Sequence, residues 1–348
     1  MRILFSSPEY DRYDPKRGRT FEYYNFYLTL RSFGEVRFLP FDRILEVGRR
    51  KWNQELLAEV DSFRPDVFFT VPYTDEFLPE ALAEIKKKTV SAAWFSDDSW
   101  RFWNYSRFWA RYFTWAITTY SYMPELYRKY GQPNVVRSQW AANTGVYKPV
   151  ALPTGEKRPE VTFVGSWSKP REKIIQALHR SGLPVVVYGG GWPGARRAGD
   201  EEMVRIFGQS KISLALNPPP GRWNVNSLGR LVMKRSLNRF APDPHPLANF
   251  RSWLDMNKPQ IKGRHFEIPA CGGLLFTTMA DDLQNFYKPG EEMVIYTDLK
   301  DCIEKLRYYL THDVERERIA RAGYERTIRE HTYTKRFENI FRKIGLGS

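Results

Sequence analysis

Short, nearly unbroken apolar runs alternate along this chain with segments whose apolar residues recur at helical spacing. Ile3-Leu4-Phe5-Ser6-Ser7 is the first such run. A polar loop follows it, and Thr20 to Leu30 then predicts a capped helix. Arg37-Phe38-Leu39, Val67-Phe68-Phe69-Thr70, Val90 to Phe95 and Trp115 to Thr119 are further strand candidates, with helical patterns around 52–62 and 77–87 between them. Apolar strands separated by helices predict a parallel sheet covered on both faces, the α/β class.

The stretch from Lys148 to Pro159 has little apolar periodicity and reads as a linker. The same grammar then restarts. Val161 to Gly165, Pro184 to Tyr188, Ile212 to Leu216 and Gly273 to Thr277 read as strands, and 171–180, 301–310 and 313–330 as helices. The expected division is an N-terminal domain over 1–150 and a second over 160–330. Residues 331–348 are expected to form a terminal helix that can cross back to the first domain. Residues 217–260 are the least regular part, broken by Pro218-Pro219-Pro220-Gly221, Pro242, Pro244, Pro246 and Pro259. A loop this long usually carries function.

Composition fits this picture. The 348 residues accommodate two cores of about 150 to 180 residues each, and 16% aromatic content excludes extensive disorder. Cys271 and Cys302 are the two cysteines, which argues against a disulfide framework or a structural zinc site and for a reducing compartment. No apolar stretch reaches the roughly 20 residues that span a bilayer, and Met1 runs directly into Arg2-Ile3-Leu4-Phe5 without a signal-peptide pattern. A cytoplasmic protein is expected, with room for peripheral contact at the inner face of the membrane. The net charge of +14 favours phosphates, nucleic acid or an anionic membrane without choosing among them.

Ligands of open parallel sheets sit beyond the carboxyl ends of strands, so the residues that follow each run are the ones to inspect. The loop before Thr20 contains Arg12, Lys16, Arg17, Gly18 and Arg19, able to receive an anion or a polar acceptor. After Phe95 come Asp97 and Asp98, where one carboxylate could take a proton from an attacking hydroxyl and the other orient it, or one could cap the following helix. Fourteen aromatics lie between Trp94 and Tyr127; Trp100 and Trp103 flank the acids and are the best candidates to stack on a sugar.

In the second half, Gly165-Ser166-Trp167-Ser168-Lys169-Pro170-Arg171 combines small residues with Lys169 and Arg171, which can neutralise a diphosphate, although no P-loop spacing is present. Gly189 and Gly190 open a triple glycine that supports only a tight turn or close ligand approach. In the segment from Gln260 to Gly273, Lys262 and Arg264 supply two close cations, Glu267 can accept bonds from ribose hydroxyls, and Gly272-Gly273 permits a close turn. The plainer reading of Glu267 is an ion pair with a nearby arginine.

Trp94-Phe95-Ser96-Asp97-Asp98, Val164-Gly165-Ser166-Trp167, the segment Lys262 to Gly273 and His331-Thr332-Tyr333 resemble, in this order, the motifs of CgeB-like glycosyltransferases of the GT-B type. The resemblance implies a GT-B fold, two Rossmann-like domains facing an interdomain cleft, with nucleotide sugar mainly in the second domain and acceptor in the first. It implies transfer of a sugar to a hydroxyl-bearing glycan or other acceptor, with the nucleotide sugar as donor substrate, no cofactor and no catalytic metal. Related retaining enzymes carry two glutamates separated by seven residues. Glu267 resembles the second, but Pro259 stands where the first would be. Asp97 or Asp98 acting as a base favours inversion, and guidance by the donor diphosphate favours retention.

The assignment from sequence is therefore an acceptor hydroxyl at Asp97 and Asp98, and donor phosphates at Ser166, Lys169, Arg171, Lys262 and Arg264, with the glycine turns Gly189, Gly190 and Gly272 alongside and ribose at Glu267. The acceptor can be anionic. Two other classes compete. Residues 222–264 hold nine Lys or Arg against two Asp or Glu, as a nucleic-acid-binding protein would, though without a recognised motif. A catalytically inactive nucleotide-sugar sensor is the third. The donor sugar and base, acceptor, linkage, oligomeric state and the role of 217–260 are not encoded in these features.

Overall fold

The computed structural model describes residues 1–151, 159–219 and 228–347. The middle of the expected linker, 152–158, and Pro220-Gly221 of the proline run fall outside the described residues. The chain forms two compact units. One comprises Met1–Gln139, Arg222–Lys258 and Tyr333–Ser348, the other Trp140–Gly221 and Pro259–Thr332.

The first unit is built on six parallel strands: β1 Arg2–Ser6, β2 Glu35–Phe38, β3 Val67–Thr70, β4 Val90–Phe95, β5 Trp115–Thr118 and β6 Val135–Arg137. Their order is β2-β1-β3-β4-β5-β6. Every residue of β3 is buried, as are all of β1 and β4 except their first, because helices cover both faces. The helices Arg49–Phe63 and Pro79–Lys88 fall where the spacing predicts them. Thr20 caps the next predicted helix, its Oγ1 accepting from the Tyr23 N–H at 3.2 Å, but the chain then winds as a π-helix over Tyr23–Tyr27. β6 escapes sequence reading because it has three residues with only Val136 buried, too short to show a period.

The terminal helix Tyr333–Lys343 belongs to this unit. Tyr333, Phe337 and Phe341, four residues apart on one face, are almost wholly buried, and Phe337 packs edge-on to Phe26 and Phe69 at ring distances of 5.5 and 5.6 Å.

The second unit repeats the plan with β7 Val161–Val164, β8 Val185–Tyr188, β9 Ile212–Ala215, β12 Leu275–Thr277 and β13 Val294–Ile295, all parallel, in the order β13-β12-β9-β7-β8. Leu214, Phe276, Leu306 and Ile319 lie in its core. In both units the first strand sits between the second and third, so the order reverses there and leaves a crevice at the strand ends, at β1/β3 and at β7/β9.

The units divide differently from the expected 1–150 and 160–330. The second begins at Trp140, where the Ala142 N–H donates to the His331 carbonyl at 3.0 Å. The irregular segment does not extend the second unit either, since Arg222–Lys258 packs into the first. It contains an antiparallel hairpin, β10 Met233–Ser236 with β11 Arg239–Pro242, and the helix Pro246–Asp255. The Ser236 hydroxyl lies 2.8 and 2.9 Å from the two Asp75 carboxylate oxygens, and the Leu237 N–H donates to Thr74 Oγ1 at 3.0 Å. Asn104 Nδ2 donates to Asn249 Oδ1 at 2.8 Å, and the Trp103 indole to Asp255 at 3.0 Å. At the hairpin turn Leu237 has φ of 50°, costly for a branched side chain, and its bond to Thr74 helps to hold that turn.

Among the described residues no helix is long and apolar enough to cross a membrane.

Candidate functional site

In the first unit, the loops that follow β3 and β4 meet the hairpin around a cavity of about 600 Å³. Tyr73, Thr74 and Asp75 come from the first loop, Asp97, Trp100 and Arg101 from the second, and Arg230, Lys234, Arg235 and Phe240 from the hairpin and its approach. The short helix Asp98–Arg101 continues into the π-helix Phe102–Ser106, whose Asn104 and Tyr105 also line the cavity. π-turns of this kind recur at functional sites because they rotate side chains out of helical register.

The cations here meet aromatic faces. Arg101 lies 4.0 Å from the Tyr105 ring centre, Arg230 4.9 Å from Trp100 and Arg235 5.5 Å from Tyr73. Partial desolvation lowers the pKa of Arg230, and the nearby Asp97 carboxylate opposes that shift. The result is an aromatic cavity with charged guanidinium groups, suited to a polar ring compound that bears an anion.

The adjacent acids have different environments. Asp97 lines the cavity and is partly exposed. Asp98 is fully buried; it accepts from the Tyr127 hydroxyl at 3.0 Å, and burial raises its pKa to about 8, with Thr118 and Tyr127 opposing and Asp97 reinforcing the shift. Asp98 therefore sits inside the fold, away from the cavity lining, contrary to its expected role as a base. Because its folded pKa lies above the unfolded value, its proton favours the folded state at low pH, and that stabilisation is lost as pH rises towards about 8. Asp98→Asn is expected to match the parent near pH 4 and to exceed it by on the order of a few kcal/mol near pH 9, as read from denaturant midpoints.

A third carboxyl, Glu22, has its pKa raised to about 7, by burial first and with Asp97 among the contributing charges. Trp100 lines the cavity as expected. Trp103 does not: its indole N–H is bound to Asp255 and the Arg251 guanidinium lies 4.0 Å from its ring centre. Arg17 and Arg19 of the early basic loop are paired within it, with Asp11 at 3.1 Å and with Glu9.

In the second unit, three expected residues come together at the β7/β9 crevice. Arg171 spans it, Nη1 donating to the Ser166 carbonyl at 2.8 Å and Nε to the Leu216 carbonyl at 3.0 Å. Burial and then the charge of Arg264 lower its pKa. Arg264 is ion-paired with the fully buried Glu267; burial opposes its charge, but Glu267 and Tyr147 outweigh it and raise its pKa. Glu267 Oε1 has no hydrogen-bond partner. Two guanidinium groups thus lie near one another, one spanning the crevice and the other paired with a buried carboxylate whose second oxygen is unsatisfied.

The other expected residues separate from this group. Lys169 is exposed and pairs with Glu172 at 3.0 Å. Ser166 is exposed. A Cβ on Gly189, at φ of 141°, would stand 2.1 Å from the Gly165 carbonyl oxygen, so this glycine lets the ends of β7 and β8 meet, whereas Gly190 has open space. Gly272, at φ of 80°, ends the helix Arg264–Ala270 in a Schellman turn: its N–H donates to the Pro269 carbonyl at 2.8 Å and that of Gly273 to the Ile268 carbonyl at 3.1 Å. Lys262 is half-buried, and its carbonyl accepts from the His265 N–H at 3.0 Å. Burial lowers the His265 pKa to about 4, so the ring is neutral at pH 7.

Residues 170–342 match the family described as glycosyl transferase-like. The chain has a GT-B fold, and its second half is similar to glycosyl transferase-like proteins. No curated protein matches this chain in sequence. Solved structures similar to it include sucrose-phosphate synthase from Thermosynechococcus elongatus, 13% identical over 100% of both chains with a TM-score of 0.59. HepE from Anabaena in complex with UDP-glucose is 10% identical over 99% of both, TM-score 0.58. A glycosyltransferase from Rickettsia africae ESF-5 is 10% identical, covering 99% of this chain and 98% of its own, TM-score 0.60. At these identities the likeness establishes the fold.

Sequence reasoning missed Tyr73, Asp75 and Glu22, and it did not single out Arg101, Arg230 or Arg235. The one available signal was the excess of Lys and Arg over 222–264.

Proposed function

We propose that this protein transfers a sugar from a nucleotide-sugar donor to a hydroxyl of an anionic glycan-type acceptor held in the cavity of the first unit. The observation that carries this reading is the composition of that cavity: aromatic walls, guanidinium groups stacked on them, and Asp97 at the end of β4. Aromatic faces suit sugar rings, the cations suit a phosphate or carboxylate, and Asp97 is the one of the two adjacent acids that reaches solvent.

On the donor side, Arg171 and Arg264 meet the diphosphate, and Glu267 accepts from the ribose hydroxyls. HepE, which shares the fold, was crystallised with UDP-glucose, which makes UDP-sugars the first donors to test. In the step itself, Asp97 takes the acceptor hydroxyl proton as the acceptor oxygen bonds to the anomeric carbon. The bond from that carbon to the diphosphate breaks, and the nucleoside diphosphate leaves with its charge compensated by the guanidinium groups. A carboxylate base and direct attack give inversion. Because cations supply the compensation, we read the reaction as metal-independent. The order of motifs in the sequence supports a place among the CgeB-like enzymes.

The test is a binding screen of UDP- and GDP-sugars by calorimetry, followed by NMR of the product anomer. Binding of a nucleotide sugar, release of its diphosphate with acceptor, inverted product and unchanged turnover in excess EDTA are expected. Absence of binding to every nucleotide sugar would overturn the reading, and a retained anomer would remove Asp97 as base.

A further inference from the structure

The helix Pro246–Asp255 has an inverted distribution of side chains. Its buried positions are Ala248, Asn249, Ser252 and Trp253, mostly small or polar. Leu247, Phe250 and Leu254, at the i, i+3, i+7 spacing of one face, are 83%, 49% and 39% exposed. The neighbouring hairpin continues this character, with Val232 at 59% and Phe240 at 79% exposure. A helix that only covered its own unit would turn these residues inward. Scattered exposed leucines are ordinary, but a run of them within one segment marks an interaction surface.

The same segment is basic. Between 228 and 258 there are six Lys or Arg and two Asp; Arg230, Lys234 and Arg235 line the cavity, and Arg239, Arg251 and Lys258 are exposed. We infer that this segment docks the protein onto an anionic membrane surface, with Leu247, Phe250 and Leu254 entering the headgroup and acyl boundary and the exposed cations meeting lipid phosphates. Charge selects this occupant over a second copy of the chain, because self-association would place two net-positive faces against each other. A bilayer with anionic lipids satisfies both features: its boundary accepts apolar side chains and its surface potential attracts lysine and arginine. The inference is independent of the reaction, since it concerns where the protein resides.

The experiment is co-sedimentation of the full chain with vesicles of pure phosphatidylcholine and of an equal mixture with phosphatidylglycerol. The expected result is pelleting with the mixed vesicles, weakened by added salt, and little with the neutral ones. Leu247→Ser with Phe250→Ser should lower the apparent partition coefficient about tenfold or more, with the far-UV circular dichroism of the folded chain unchanged although Phe250→Ser gives up a stack on Trp253. Arg239→Glu with Arg251→Glu should abolish the preference for the anionic vesicles. The inference is overturned if the parent stays in the supernatant with both compositions, or if the serine variant binds as the parent does. It is also overturned if sedimentation velocity finds a dimer that the serine variant converts to monomer.

Discussion

Asp97→Asn is expected to lower the transfer rate by about 10²-fold or more, the usual contribution of a positioned general base, while donor affinity stays at its parent value. The environments of the adjacent acids account for choosing this residue. Asp97 lines the cavity with Arg230 close by, whereas Asp98 is sealed among Tyr127 and Thr118 with a pKa near 8. Asp98→Asn should accordingly leave turnover within a few-fold, since it replaces a mostly protonated side chain by a neutral one of the same shape. Single-turnover kinetics on both variants, with donor affinity measured separately, separate the two. A large loss for Asp98→Asn and none for Asp97→Asn would reverse the assignment.

The second large effect is expected at Glu267. Its carboxylate is completely buried against Arg264, so Glu267→Ala strands a mostly buried guanidinium and should cost about 3 to 5 kcal/mol in the unfolding of the second unit. A purely structural ion pair predicts the same loss, so a double variant is needed. Arg264→Met with Glu267→Leu replaces the pair by apolar volume and should recover most of the stability. If the pair also serves the donor, nucleotide-sugar affinity remains lost in the double variant. Recovery of both stability and donor binding would reduce Glu267 to the structural ion pair that its sequence context also allowed.

Much of the fold was legible because it depends on local periodicity. The runs at β1, β3, β4, β7 and β9 are nearly continuous apolar segments, which only strands buried on both faces require, and the helices between them carry the 3.6-residue pattern. β6 was invisible because three residues hold no period. The terminal helix was visible as a pattern, and its membership in the first unit follows from rings at 333, 337 and 341 finding Phe26 and Phe69, a pairing that no spacing encodes.

The site was legible in part for the same reason. Residues just after strands can be picked out by position, so Asp97 after β4 and Arg171 after β7 were available from sequence, whereas Arg264 and Glu267, on a helix before β12, stood out by charge next to a glycine pair. Which of them approach one another was not. Gly272 reads equally as a ligand contact and as a helix terminus until its φ of 80° and the two Schellman bonds show what the backbone needs there. The irregular segment is the clearest case: its basic excess was plain in the sequence, but its attachment to the first unit rests on Ser236 with Asp75, Asn104 with Asn249, and Trp103 with Asp255.

Two α/β units, the strand ends to inspect and a net positive charge could be read from the sequence alone, since hydrophobic period and net charge are properties of the chain. Tertiary structure decided which acid faces the cavity, which cations remain directed into it and which unit the 222–258 segment completes. Those outcomes depend on burial and on hydrogen bonds between residues more than a hundred positions apart, and a side chain acquires both only when the chain has folded.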